Sequence, residues 1–180
     1  MNPPETSRYV GGARDAVNLG DTLLAGDDWG RIHRLPSSGE GKLVATLAGA
    51  VNAFVATEWG IFLPSGEHRE QALYRSSNGG FDWDNINPEL TELRIHDLAA
   101  HPSGAVFVAT HLDGVIYSSD HGLTSKPINN GLPSLTVTAL AITPDDYLYA
   151  VTGSGVYRIP LSVATDAEYG PETRQMVLMR

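Results

Sequence analysis

The chain of 180 residues contains no cysteine, only two lysines (Lys42 and Lys126) and no apolar run long enough to cross a bilayer. Without cysteine there is no disulfide, no thiolate metal site and no thiol nucleophile. Twelve basic against 21 acidic side chains give a net charge of −9 with no basic cluster, which excludes nucleic acid as an expected partner. The six histidines include no H-x-x-x-H or H-E-x-x-H spacing, and neither Asp27-Asp28 nor Asp145-Asp146 supplies the alternating oxygens of a calcium loop. No G-x-S-x-G elbow and no phosphate-binding glycine loop followed by Lys occurs. No metal and no cofactor is therefore expected. The opening MNPPETSRYVGG has neither a basic segment nor an apolar core, so no signal peptide is expected in it. A complete chain of this kind would be cytoplasmic; a mature or excised piece would not be so constrained.

What is present points to one turn-rich domain. Hydrophobic residues make up 42% and charged residues 18%, enough for a core, while 19 Gly and 11 Pro favour short strands and tight turns over helices. In Leu73–Trp83, LYRSSNGGFDW, a strand-like run leads into Ser76, Asn78, Gly79 and Gly80, residues suited to side-chain acceptors and positive φ, and then to Trp83. A second copy, SSDHGLTS, carries Ser118, Asp120, Gly122 and Thr124, with Ser125 where the Trp would stand. These segments resemble the Asp-box, or BNR repeat, roughly S-x-D-x-G-x-T-W. Asn78 replaces its Asp, and Asp82 stands where Thr is common. The resemblance implies a β-propeller of the sialidase, sortilin and photosystem assembly factor kind, in which the boxes cap outer hairpins and serve as scaffold. It also implies, weakly, an extracytoplasmic or cell-surface location.

Internal repetition supports that architecture. Leu98, Pro102, Phe107 and Thr110 recur as Leu140, Pro144, Tyr149 and Thr152, every pair 42 positions apart. FVAT at 54–57 matches FVAT at 107–110, and LLAG at 23–26 holds the same place upstream. The expected organisation is an N-terminal arm at 1–13, blades over 14–161 with units starting near residues 14, 43, 95 and 135, and a tail or closing strand at 162–180. Repeats of about 40–45 residues with four short strands describe an all-β propeller of about four blades. A small closed ring, a fragment of a longer propeller and an arc completed by another chain all fit. The second unit has two parsings. In one, an insertion occupies Pro64–Gln71; in the other, PSGEHRE closes a hairpin and Ala72–Ser76 is the next strand.

With strands A to D running outward, the B–C turns gather on the face where propeller ligands usually sit. On the first parsing these turns supply Asp27, Asp28 and Trp29, then Glu58 and Trp59, then His111 and Asp113. Carboxylates beside an indole suit sugar recognition, and the same Trp side chains also suit blade packing. Both readings stay open. Tyr157-Arg158-Ile159-Pro160 is similar to the Arg-Ile-Pro element of sialidases but follows the boxes instead of preceding them. The sequence therefore leads to the expectation of a non-catalytic module, not an enzyme, that binds a protein partner or self-associates. One alternative is a glycan-binding or glycoside hydrolase-type module using Trp29 and Trp59. Another is a structural segment of a larger surface protein.

Overall fold

The computed structural model describes residues 12–67, 70–86, 93–162 and 175–179. Most of the expected N-terminal arm and of the stretch 162–180 lies outside the described residues. The first sheet holds β1 (Ala13–Asn18), β2 (Thr22–Asp27), β3 (Arg31–Pro36) and β4 (Lys42–Thr46) in antiparallel order. Leu43, the expected start of the second unit, sits in the outer strand of this first sheet. The third sheet holds β10 (Ile95–Ala100), β11 (Val106–Thr110), β12 (Val115–Ser118) and β13 (Lys126–Pro127), and the fourth β14 (Val137–Ile142), β15 (Tyr147–Thr152), β16 (Gly155–Pro160) and β17 (Val177–Leu178). β17, in the expected tail region, pairs with β16 as the outer strand.

The second sheet follows the hairpin parsing. Its inner strand is split into β5 (Ala50–Val51) and β6 (Val55–Thr57), both paired with β7 (Gly60–Glu67), which pairs in turn with β8 (Glu70–Ser76) and then β9 (Asp84–Asn85). FVAT at 54–57 is thus inner strand A, whereas FVAT at 107–110 is strand B. The LLAG match also shifts by one residue. Asp27 pairs with Ala13 as Thr110 pairs with Ile95, so Leu24, not Leu23, is the counterpart of Phe107.

Apolar side chains join the sheets in series. Leu24 and Ile32 of the first pack with Phe54, Ile61 and Leu63 of the second. Phe62 and Leu73 of the second pack with Leu98, Val106, Val108 and Ile116 of the third. Phe107, Ala109 and Tyr117 of the third pack with Leu140, Leu148, Ala150 and Tyr157 of the fourth. Strand β11, with neighbours on both sides, is buried at every position, whereas β15 alternates. Among the described residues no such cluster joins the fourth sheet to the first, and Leu23, Val151 and Val156 are 38%, 36% and 38% exposed. In the described residues four blades with three joints form an open arc; a small closed ring would need a fourth joint.

The two Ser turns knit each blade to the one before it. Ser76 Oγ accepts the Gly80 amide at 2.8 Å, and Asn78 Oδ1 accepts the amides of Phe81 and Asp82 at 3.2 and 3.0 Å. Ser118 and Asp120 repeat this, with Ser118 Oγ accepting Gly122 N at 2.8 Å and Asp120 taking the Thr124 amide and hydroxyl at 2.8 and 2.6 Å. Burial alone would raise the Asp120 pKa, but hydrogen bonds from Thr124 and Ser118 outweigh it and hold the carboxyl below its usual range. A Cβ on Gly80 would lie 2.4 Å from Leu24 of the first blade, and one on Gly122 would lie 2.4 Å from Ile86 of the second. Both glycines also have positive φ, 89° and 92°, so close approach and backbone conformation select the same residue. Trp83 donates its indole N–H to Gly80 O at 3.1 Å and is only half-buried beside Phe54.

Candidate functional site

The site arises from a recurrent defect in the inner strands. In the first, third and fourth blades the ladder skips one residue after the first pair, leaving Arg14, His96 and Thr138 unpaired. Such bulges re-aim a side chain at the rim of a sheet. In the second blade Asn52, just after β5, takes the corresponding place. Arg14, Asn52 and His96 then line one cleft of about 560 Å³ with Asp28, Glu67 and Arg94. Its size falls in the range of small-molecule sites. The lining is strongly polar and carries both signs of charge.

Each wall is held from behind. Arg14 donates to Asp28. His96 Nδ1 lies 2.9 Å from Val137 O, and its ring meets His111 edge-on at 5.4 Å. The His111 amide binds Arg94 O at 2.9 Å, fixing the backbone that presents Arg94. Buried Gln71 accepts the Ile95 amide at 2.5 Å. The Arg94 side chain is exposed and makes no ion pair among the described residues.

Of the residues singled out in the sequence, Asp28 lines this cleft. Asp27, directly before it, is fully buried as a turn cap. Its carboxylate takes the amides of Trp29 and Arg31 at 2.9 and 3.0 Å and Arg31 Nε at 2.7 Å. Burial pushes this carboxyl up, but the bonds from Arg31 and Trp29 prevail and leave it below the usual range. Trp29 is 58% exposed on the same turn, with the Arg31 guanidinium 4.8 Å above its ring. His111 stands behind His96, and Asp113 borders a separate groove of about 380 Å³ with Leu112 and Lys126.

Glu58 and Trp59 are elsewhere. They occupy the A–B turn between β6 and β7, at the sheet end that carries the Ser76 turn, so Trp29 and Trp59 lie on opposite faces. Trp59 donates to Pro102 O at 3.1 Å and stacks on His121 at 4.6 Å, joining the second blade to turns of the third. Among the described residues no group of three or more His, Asp or Glu is placed to hold a metal, and no helix is long and apolar enough to cross a membrane. The sequence reading missed Arg14, Asn52, Glu67, Arg94 and His96. For Arg14 and His96 the signal is positional, one residue past the start of the inner strand, with Asn52 at the matching place after β5; it is visible only once that strand is correctly placed, and Glu67 and Arg94 carry no such mark.

No protein-family model and no curated protein matches the sequence. Solved structures do. The chain is similar to an ancestral GH74 enzyme (18% identity, 82% of this chain and 22% of that one, TM-score 0.67). It is also similar to the GH74 xyloglucanase of Xanthomonas campestris (13%, 93% and 30%, TM-score 0.66). A third is the extracellular domain of BT4673 from B. thetaiotaomicron (14%, 87% and 24%, TM-score 0.64). These likenesses show that the chain has a β-propeller fold. It spans 22 to 30% of the length of these structures. The comparison corrects the expectation that the protein is not an enzyme. GH74 enzymes share this fold, so the lack of a familiar catalytic motif does not separate the chain from catalytic propellers.

Proposed function

We propose that the chain is a glycan-recognising β-propeller module of the Asp-box kind, with its ligand in the cleft between Arg14, Asn52 and His96. The observation that carries this reading is the cleft itself. Three successive blades deliver polar side chains from equivalent positions, and Arg94 adds an exposed cation. Guanidinium, amide and carboxylate groups so arranged hydrogen-bond sugar hydroxyls, and a ring carboxylate would pair with Arg94. Asp28 and Glu67 are the carboxylates of the cleft, the residue type that glycosidases use in pairs. An extracytoplasmic setting fits such a ligand and the extracellular BT4673 domain.

The test is calorimetric titration with neutral and uronic oligosaccharides, xyloglucan fragments included, together with a reducing-end assay. Arg94→Ala and Asn52→Ala should weaken binding about five- to thirtyfold, the effect of losing about one to two kcal/mol of polar contact, at unchanged Tm. Trp59→Ala, on the opposite face, should leave binding intact. Asp28→Asn and Glu67→Gln separate cleavage from binding. Full binding by the Arg94 variant would overturn the reading.

A second reading, a protein-docking module, is favoured by exposed Leu23, Leu43, Val151 and Val156 on the outward faces of the end blades.

A further inference from the structure

We propose that the partner at those faces is a second copy of the chain, joined head to tail so that two arcs close one ring. This names the partner for the docking reading and does not depend on the cleft's ligand.

The two open faces are the two halves of one joint. Inside the arc, Phe107, Ala109, Val115 and Tyr117 pack forward onto the next blade. Their counterparts one repeat on are Tyr149, Val151, Val156 and Arg158, on the open side of the fourth blade. Facing backward inside the arc are Val106, Val108 and Ile116, buried against the second blade, and Leu148, Ala150 and Tyr157, buried against the third. Their counterparts in the first blade are Leu23, Ala25 and His33; Ala25 is buried and His33 half-buried, and the exposed apolar surface there is Leu23, 38% exposed, and Leu43, 53% exposed and paired beside His33. One end therefore offers only the forward half and the other only the backward half. That is a heterologous contact, which closes into a ring when the rotation permits. Two arcs of four make eight blades, within the range of known propellers.

Two details of the inner joints are unfulfilled at the ends. Arg34 reaches from the first blade to Gly79 O in the C–D turn of the second. Arg158 holds the equivalent place on the fourth blade, and among the described residues it meets Tyr147 and Tyr149 of its own sheet, with Asp145 nearby. The C–D turn that a second copy would bring to it is Ser37–Glu40, which ends in an exposed carboxylate of opposite charge. The register of β2 and β3 places Gly39 of that turn where Gly80 and Gly122 stand in theirs, again with positive φ, 105°. Gly80 and Gly122 are closed over by the preceding blade, whereas the space above Gly39 is open apart from Pro36 at 4.0 Å.

Because the chain has no cysteine, introduced thiols report without background. Leu23→Cys/Val151→Cys should oxidise to a covalent dimer, and mixing the two single variants should give a mixed disulfide, while neither single variant forms a disulfide alone. Light scattering of the unmodified chain should give twice 19.3 kDa. Val151→Glu, at an exposed position, should raise the dimer dissociation constant about a hundredfold or more by burying an unpaired carboxylate, with an unchanged circular dichroism spectrum and unchanged sugar binding. A monomer at high micromolar concentration would overturn the proposal, leaving further blades of a longer chain as the cover. Self-crosslinking of either single variant would show a two-fold face-to-face dimer, and an open-ended ladder would exclude closure; both also overturn it.

Discussion

Phe107 and Tyr149 occupy the same place in consecutive repeats, yet Phe107 is sealed while Tyr149 is only half-buried. The difference lies outside the repeat. Among the described residues the third blade has neighbours on both sides and the fourth on one, so a similar apolar strand yields a core in one and a surface in the other. A residue's contribution in this fold depends on its blade's position more than on its own strand.

Paired substitutions separate the two sites most directly. Phe107→Ala should cost about 3–5 kcal/mol, and Tyr149→Ala less than about 1.5 kcal/mol, both by urea unfolding in dilute protein. Equal costs would mean that the fourth blade is already covered. Next come the glycines. Gly80→Ala meets Leu24 and a left-handed backbone and should cost about 2–4 kcal/mol, whereas Gly39→Ala carries only the backbone term, about 1 kcal/mol. Trp83→Ala, at a half-buried site, should cost about 2 kcal/mol and leave ligand binding intact.

Acid titration sharpens the contrast between caps. Asp27 closes the first blade's turn, where Thr110 and Thr152 close the equivalent turns of the third and fourth. Its folded pKa is depressed, so its contribution is full above the unfolded value near 4 and is lost as pH falls through the folded one. Asp27→Thr should flatten that acid limb in a series of melts from pH 5 to about 2.5, and Asp120→Asn should do the same more weakly at the second Ser turn. Burial depresses His33 as well, despite the nearby Asp27, so its contribution is full above about 6.5 and fades below it. His33→Asn should remove the small loss of Tm between pH 6.5 and 5.

Much of the fold was legible in the sequence because the third and fourth blades share a strict offset and because the two Ser turns have exacting chemistry. The second blade was misplaced for a physical reason. Thr57 Oγ1 donates to Gly60 O at 3.2 Å and accepts Trp59 N at 3.1 Å; Thr152 does the same with Gly155 O and Ser154 N, both at 3.1 Å. One Thr-capped hairpin thus closes an A–B turn in one blade and a B–C turn in another, and the motif does not say which. Trp59 followed that error to the wrong face. The cleft residues were hidden differently, since a bulge is a feature of pairing and leaves no mark on composition.

The serial arrangement of joints bears also on how the molecule comes apart. Blades that contact only their neighbours behave as a row of coupled units, and such a row opens from its ends. Amide exchange should therefore be graded, slowest at Phe62 and Val106 around the middle joint and fastest in β1 and β16. A ring has no ends, and closure would turn that gradient into a single cooperative transition.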